Sequence, residues 1–250
     1  LYKYTFKLFL FFSFYSTAQE LTTSKEEILL EIEKSSDTFK DVAYDIWEFA
    51  ELGFLEEKSS ALLRKVLKKE GFSVTSGVAG IPTAFIAEYG KKGPIIALLS
   101  EYDALPGMSQ AAVPEKKMLK GKTAGHACGH HLFGAGSLAA AIHIKNWLRD
   151  TGTPGTVRLY GTPAEEGGGG KVYMVRAGLF DDVSAVLSWH PSDSNSANSD
   201  SSLAAVAIRF KFKGIAAHAA GAPWEGRSAL DGVETLNYMI NMMREHVTPD

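Results

Sequence analysis

The sequence predicts an α/β protein, a mostly parallel sheet covered by helices, and three observations carry that expectation. Short apolar runs alternate with helical stripes between residues 83 and 189, as strands joined by crossover helices require. Residues 94–100 (PIIALLS) form an unbroken apolar run, suited to a strand buried on both faces. A chain of 250 residues with 45% hydrophobic and 22% charged content can bury a large core, which excludes disordered and fibrous classes.

The elements follow in order. Ser24 is a candidate N-cap for a helix with Ile28, Leu29 and Ile32 on one stripe, and Phe39, Val42, Ile46 and Phe49 make a second. A third helix carries Leu62, Leu63, Val66 and Leu67 and ends at Gly71. Strands are expected at residues 83–88 (TAFIAE) and 94–100, followed by a long loop rich in Gly, Pro and Lys. Residues 132–148 read as an Ala-rich helix packed closely through Gly134 and Gly136. Two further strands, 156–160 (TVRLY) and 183–189 (VSAVLSW), flank a short helix around 172–177. Residues 192–202 (SDSNSANSDSS) read as a linker or exposed loop. After it, 203–212 alternates like a half-buried strand, and 228–246 is a helix with Leu230, Val233, Leu236, Ile240 and Met243 on its apolar stripe. No internal repeat is present.

The balance of 26 Lys plus Arg against 29 Asp plus Glu gives a formal charge of −3, which argues against nucleic-acid or anionic-membrane binding by the whole molecule. Lys3 and Lys7 precede an apolar run at 8–15 (LFLFFSFY) and then Ser16-Thr17-Ala18, a pattern expected of a secretory leader cleaved after Ala18. The run is less than half the ~20 residues of a membrane span. Export to a periplasmic or extracellular space is therefore expected, with no membrane anchor. The sequence opens at Leu1 and stops at Asp250 directly after a helical pattern, so a fragment is expected: leader 1–18, the first part of one domain at 19–202, and the start of a second at 203–250.

In parallel sheets, ligands bind beyond the carboxyl ends of the strands. Here three strand ends run into Glu101-Tyr102-Asp103, Glu165-Glu166 and His190-Pro191. The densest motif is 125–131 (GHACGHH), which holds the only cysteine and three histidines. Thiolate and imidazole are preferred ligands of zinc and similar ions, and a helix N-terminus favours the thiolate. A single cysteine excludes an intrachain disulfide and leaves Cys128 as buried filler, reactive thiol or metal ligand. Adjacent carboxylates at Glu165 and Glu166 can divide their roles, one binding metal and one activating water. His190 sits at the same edge, Asp103 can orient a ligating imidazole, and His218 lies among small residues that let another surface approach. Competing motifs fail: 167–171 lacks the Ser or Thr of a phosphate loop, and 226–230 breaks the serine-hydrolase elbow at its last position. A thiol protease built on Cys128 is left open, since no partner histidine is singled out.

The ordered motifs 100–106 (SEYDALP), 126–130 (HACGH), 163–167 (PAEEG), 189–191 (WHP) and 217–220 (AHAA) resemble metallopeptidase family twenty. More narrowly they resemble its amidohydrolase branch, and 128–134 with 222–231 is most similar to the aminobenzoyl-glutamate hydrolase type. The resemblance implies a zinc-exopeptidase-like catalytic domain with an inserted α+β lid and dimerisation domain. It implies two divalent metal ions, zinc or manganese, held by Cys128, His130, Glu166 and His190, with a last histidine ligand beyond this chain. It further implies Glu165 as general base, Asp103 as supporting acid, His218 as a lid histidine that steadies the oxyanion, and a homodimer through the lid. Many auxin-type relatives carry Asp where this chain has His131. The expected activity is hydrolysis of the amide bond of an N-acyl amino acid, with a di-metal dipeptidase or a non-catalytic metal- or partner-binding fragment as alternatives.

Overall fold

The computed structural model describes residues 2–197 and 206–248, with side chains from Lys25 onward. Helix α1 (Tyr2–Phe49) runs without a break through Ser24, so the expected helix start there does not occur. The segment contains neither glycine nor proline, so nothing offsets continuation of the backbone ladder. Its second stripe is the one that packs: Val42 and Ile46 are buried, whereas Leu29 and Ile32 of the first stay exposed. The leader expected at 1–18 falls where side chains are not described. Among the described residues no helix is long and apolar enough to cross a membrane.

Helix α2 (Glu57–Lys69) buries Leu63 and Leu67. The Glu51 carboxylate accepts the Lys58 N–H at 3.0 Å and the Ser59 N–H at 2.9 Å, satisfying donors that a helix start leaves free. The five-stranded sheet contains β1 (Ser73–Ser76), β2 (Phe85–Lys91), β3 (Ile95–Ser100), β6 (Gly155–Gly161) and β7 (Ala185–Leu187), in the order β1-β2-β6-β3-β7. It is mixed: β3 pairs in parallel with β6 and β7, while β2 pairs antiparallel with β1 and β6. A separate ribbon joins β4 (Leu105–Pro106) to β5 (Ala124–Gly125).

Both sheet faces are covered. Phe85, Leu98, Val157 and Leu159 meet α1, α2 and α3 (His130–Thr151), and Ala97 and Tyr160 meet Met174 on the other side. That two-sided burial is why β3 reads as a continuous apolar run. Close packing of α3 depends on its glycines. A Cβ at Gly134 would stand 2.8 Å from the Glu101 carbonyl, and one at Gly136 would stand 2.7 Å from the Trp189 ring. A short turn α4 (Glu165–Gly168) and the helix α5 (Gly170–Arg176) follow β6.

The chain divides into compact units at residues 197 and 198. In the second unit, residues 206–214 form no regular strand despite their alternation; residues 203–205 of the expected strand lie outside the described residues. A strand needs a partner, and among the described residues the only pairing here is the isolated bridge Ile215–Arg227. Helix α6 (Ala229–Met243) is capped by Ser228, whose Oγ accepts the Asp231 N–H at 3.1 Å. The ring of Phe212 packs against Gly232, while Leu230 and Met243 of the expected stripe are exposed.

Candidate metal centre

The site assembles where β3, β6 and β7 end and α3 begins. Beyond β3, Glu101 and Asp103 both reach His130 while Tyr102 turns to the Thr83 carbonyl, the alternation expected of an extended run. Tyr102 is fully buried and its hydroxyl donates to the Thr83 carbonyl at 2.7 Å, which anchors the pair. At the start of α3, Gly129 takes a left-handed conformation (φ 86°) between Cys128 and His130.

His130 is the hub. Its ring is fully buried, and Nδ1 lies 2.8 Å from Asp103 Oδ1. Nε2 stands 2.9 Å from Glu101 Oε2 and 3.9 Å from Glu165 Oε2, without an aligned hydrogen-bond partner. Burial works against protonation of this ring, but Asp103 and Glu101 outweigh it and lift the pKa to about 10. The opposite holds for the acids: burial pushes Asp103 and Glu101 up, yet His130 holds both below the usual carboxylate range, helped by Lys171 at Glu101. The cluster therefore calls for positive charge at the His130 edge, which a proton or a divalent ion supplies.

His190 Nδ1 donates to the Pro191 carbonyl at 2.9 Å, so Nε2 presents a lone pair, and this atom is 3.4 Å from Cys128 Sγ. The helix start does not lower the thiol pKa as expected; burial and then the carboxylates of Glu166, Glu165 and Glu101 raise it to about 11. A divalent ion reverses that balance, because its charge favours the thiolate. Donor atoms of Cys128, His130 and His190 lie within 4.8 Å of one another, as do those of Glu101, His130 and Glu165. Glu166 Oε1 is buried without a partner. Soft and hard donors together, with two orphaned buried ligand atoms, fit zinc or a similar divalent ion.

The structure thus gathers Cys128, His130, His190, Glu165, Glu166 and Asp103. Glu101, expected at this sheet edge but given no role from the sequence, joins them through its contact with His130 Nε2. The histidine-rich motif splits. His131 packs against Trp47, with ring centroids 4.9 Å apart, and His126 donates to the Ile46 carbonyl at 3.0 Å. Burial, with a neighbouring histidine charge in each case, depresses both to about 4. His218 belongs to the second unit, where its Nδ1 accepts the Ala220 and Gly221 N–H groups at 3.2 and 2.9 Å.

The turn carrying Glu165 is built tightly. Ala164 is buried in a left-handed conformation (φ 57°), which for a non-glycine costs roughly 1–2 kcal/mol. A Cβ on Gly170 would collide with the Pro163 carbonyl at 2.0 Å. Burial and the Glu101 charge raise the Glu165 pKa, toward the range that suits a general base.

A helix-covered α/β sheet whose strand ends gather thiol, imidazole and carboxylate donors defines a candidate metal-binding α/β protein. More particularly, the chain belongs to peptidase family M20/M25/M40, whose model matches residues 97–237. It is 47% identical over 218 residues to a subunit of the p-aminobenzoyl-glutamate hydrolase of Escherichia coli (strain K12), covering 86% of this chain and 45% of that protein. It is 32% identical over 246 residues to the Xaa-Arg dipeptidase of Mus musculus, covering 94% of this chain and 53% of that protein. Among solved structures it resembles a dinuclear metal-binding peptidase of the M20 family from Bacillus subtilis, with TM-score 0.56 and 29% identity, covering 64% of this chain and 44% of that one. The chain spans about half the length of the curated relatives it matches.

Proposed function

We propose that the full-length protein is a metal-dependent amidohydrolase that cleaves the amide bond of a small N-acyl amino acid of the aminobenzoyl-glutamate kind. The observation that carries this is His130, shared by a Cys128–His190 group and a Glu101–Glu165 group, with its Nε2 buried without an aligned partner. Cys128, His130, Glu166 and His190 would hold two divalent ions, zinc or manganese, with a last histidine from beyond this chain. Those ions would polarise the substrate carbonyl and lower the pKa of a water. Asp103 fixes the His130 ring through Nδ1 and the turn through the Glu166 N–H, which it accepts at 2.8 Å. Glu165 takes the proton of the attacking water and delivers it to the leaving amine. In the homodimer proposed below, His218 would serve a neighbouring subunit's site, its Nδ1 accepting within its own turn and leaving Nε2–H as a donor to the developing oxyanion.

Glu165→Gln in the full-length protein should keep its metal and lower kcat by about 10²–10⁴-fold, the usual weight of a general base. Near-normal turnover in that variant would overturn the assignment. A dipeptidase is the second reading, supported by the 32% identity that spans 94% of this chain. Comparing kcat/KM for aminobenzoyl-glutamate with that for a panel of dipeptides separates the two. A homodimer is part of the proposal, supported by the exposed Val206, Ile208, Trp224 and Tyr238 of the second unit; light scattering of the full-length protein at micromolar concentration checks it. Export rests on the charged and apolar pattern of residues 3–18, and an N-terminus found at Gln19 in protein recovered outside the cytoplasm would bear it out.

A further inference from the structure

Glu56 lies in the connection just before α2 and is fully buried, yet no role in the chemistry falls to it. Its carboxylate is fully engaged. Oε1 accepts the Ala164 N–H at 2.8 Å, and Oε2 accepts the Thr83 hydroxyl at 3.0 Å. Ala164 is the left-handed residue immediately before Glu165. Thr83 in turn uses its carbonyl to accept the hydroxyls of Tyr102 and Ser60, both at 2.7 Å. Tyr102 stands between Glu101 and Asp103. One buried carboxylate therefore ties together the two strand ends that supply the acids of the site, β3 through Thr83 and Tyr102, and β6 through Ala164.

The packing leaves the turn little freedom to settle elsewhere. A Cβ on Gly53 would stand 3.0 Å from the Ala164 Cβ, and one on Gly168 would stand 2.7 Å from the same atom. The Ala164 carbonyl accepts the Gly170 N–H at 3.2 Å. On the far side of Glu165, the Glu166 N–H donates to Asp103. The general-base candidate is thus held from both flanks, by Glu56 before it and Asp103 after it. Burying a carboxylate is unfavourable unless hydrogen bonds repay it. Here the donors it satisfies are a backbone N–H in a strained turn and a hydroxyl that links to the other acid-bearing strand end.

We propose that Glu56 is a positioning residue whose buried carboxylate sets the Ala164 turn and so aims Glu165 at the metal centre. This rests on the reading of Glu165 as general base. In the full-length, metal-loaded protein, Glu56→Gln keeps an oxygen for the Ala164 N–H, whereas Glu56→Leu removes it at similar volume. The Gln variant should hold kcat within about threefold, and the Leu variant should lose about 10²-fold in kcat with KM and metal content unchanged, as expected of a misplaced catalytic group. Amide hydrogen exchange at Ala164 should accelerate in the Leu variant and not in the Gln variant. Wild-type-like kcat in a folded Glu56→Leu protein would overturn the proposal. So would loss of metal in step with turnover, or equal impairment of the Gln and Leu variants.

Should Glu56→Leu fail to fold, Thr83→Val removes the hydroxyl that Glu56 Oε2 accepts while leaving Glu56 in place. It should give a smaller fall in kcat with faster exchange at Ala164, and unchanged values in both would overturn the proposal. The exchange measurement also separates two failures. If Glu165→Gln keeps its turnover, the general-base reading falls, while protection of the Ala164 amide still reports whether Glu56 holds the turn.

Discussion

The two compact units of this chain present their histidines by opposite means. His130 in the first unit is fully buried and is oriented by Asp103, 27 residues away in sequence, across the packed junction of β3 and α3. His218 in the second unit is exposed and is oriented by the N–H groups of Ala220 and Gly221, within its own turn. A ligand site made by long-range contacts depends on the core that brings the elements together. A donor made by a single turn does not. The candidate metal ligands described here all belong to the first unit, and their geometry depends on the sheet beneath them.

Substitutions can break or sharpen this contrast. The largest effect is expected in the core: Leu159→Ala, in the middle of β6 and fully buried, should destabilise the first unit by about 2–5 kcal/mol. Chemical denaturation should show metal release and unfolding in one transition. Metal retained beyond the unfolding of the sheet would contradict the dependence of the site on its core. Next comes Asp103→Asn, which replaces the acceptor of the His130 Nδ1 proton and of the Glu166 N–H. Metal affinity should fall about 10–100-fold, as for other residues that orient a ligand, measured by competition with a chelator. An unchanged affinity would mean that His130 is oriented by packing alone. The smallest effect is expected in the second unit, where Ser228→Ala removes the cap of α6 and should cost about 1 kcal/mol. Amide exchange should quicken across α6 while metal content stays the same.

The same contrast explains what could be read from sequence. The β3 strand was legible because burial on both faces leaves an unbroken apolar run, and β6 from its apolar Val157, Leu159 and Tyr160 around Arg158. The short β1, Ser73-Val74-Thr75-Ser76, carries one apolar residue and exists through its pairing with β2; nothing local marks it. Conversely, residues 206–212 carry a clear alternation and form no ladder, because pattern supplies a face and not a partner. At the site, Cys128 is marked by residue type at a helix start, and Glu165 and His190 by residue type and placement at strand ends. His130 is separated from His131 only by the family resemblance, since adjacent residues at a helix start point about 100° apart and only the position of the sheet decides which one faces the acids. Glu56 was equally hidden. Its value lies in the backbone of Ala164, 108 positions further on, and a backbone partner leaves no mark in residue type.

The central claim is that the His130 cluster holds metal through Cys128. Elemental analysis of the purified full-length protein beside its Cys128→Ala variant tests it most directly. The account predicts a divalent metal in the wild type, at the dinuclear stoichiometry described for the Bacillus subtilis relative, and loss of that metal in the variant with the fold retained. A wild type without divalent metal, or a variant that keeps its full complement, would contradict it.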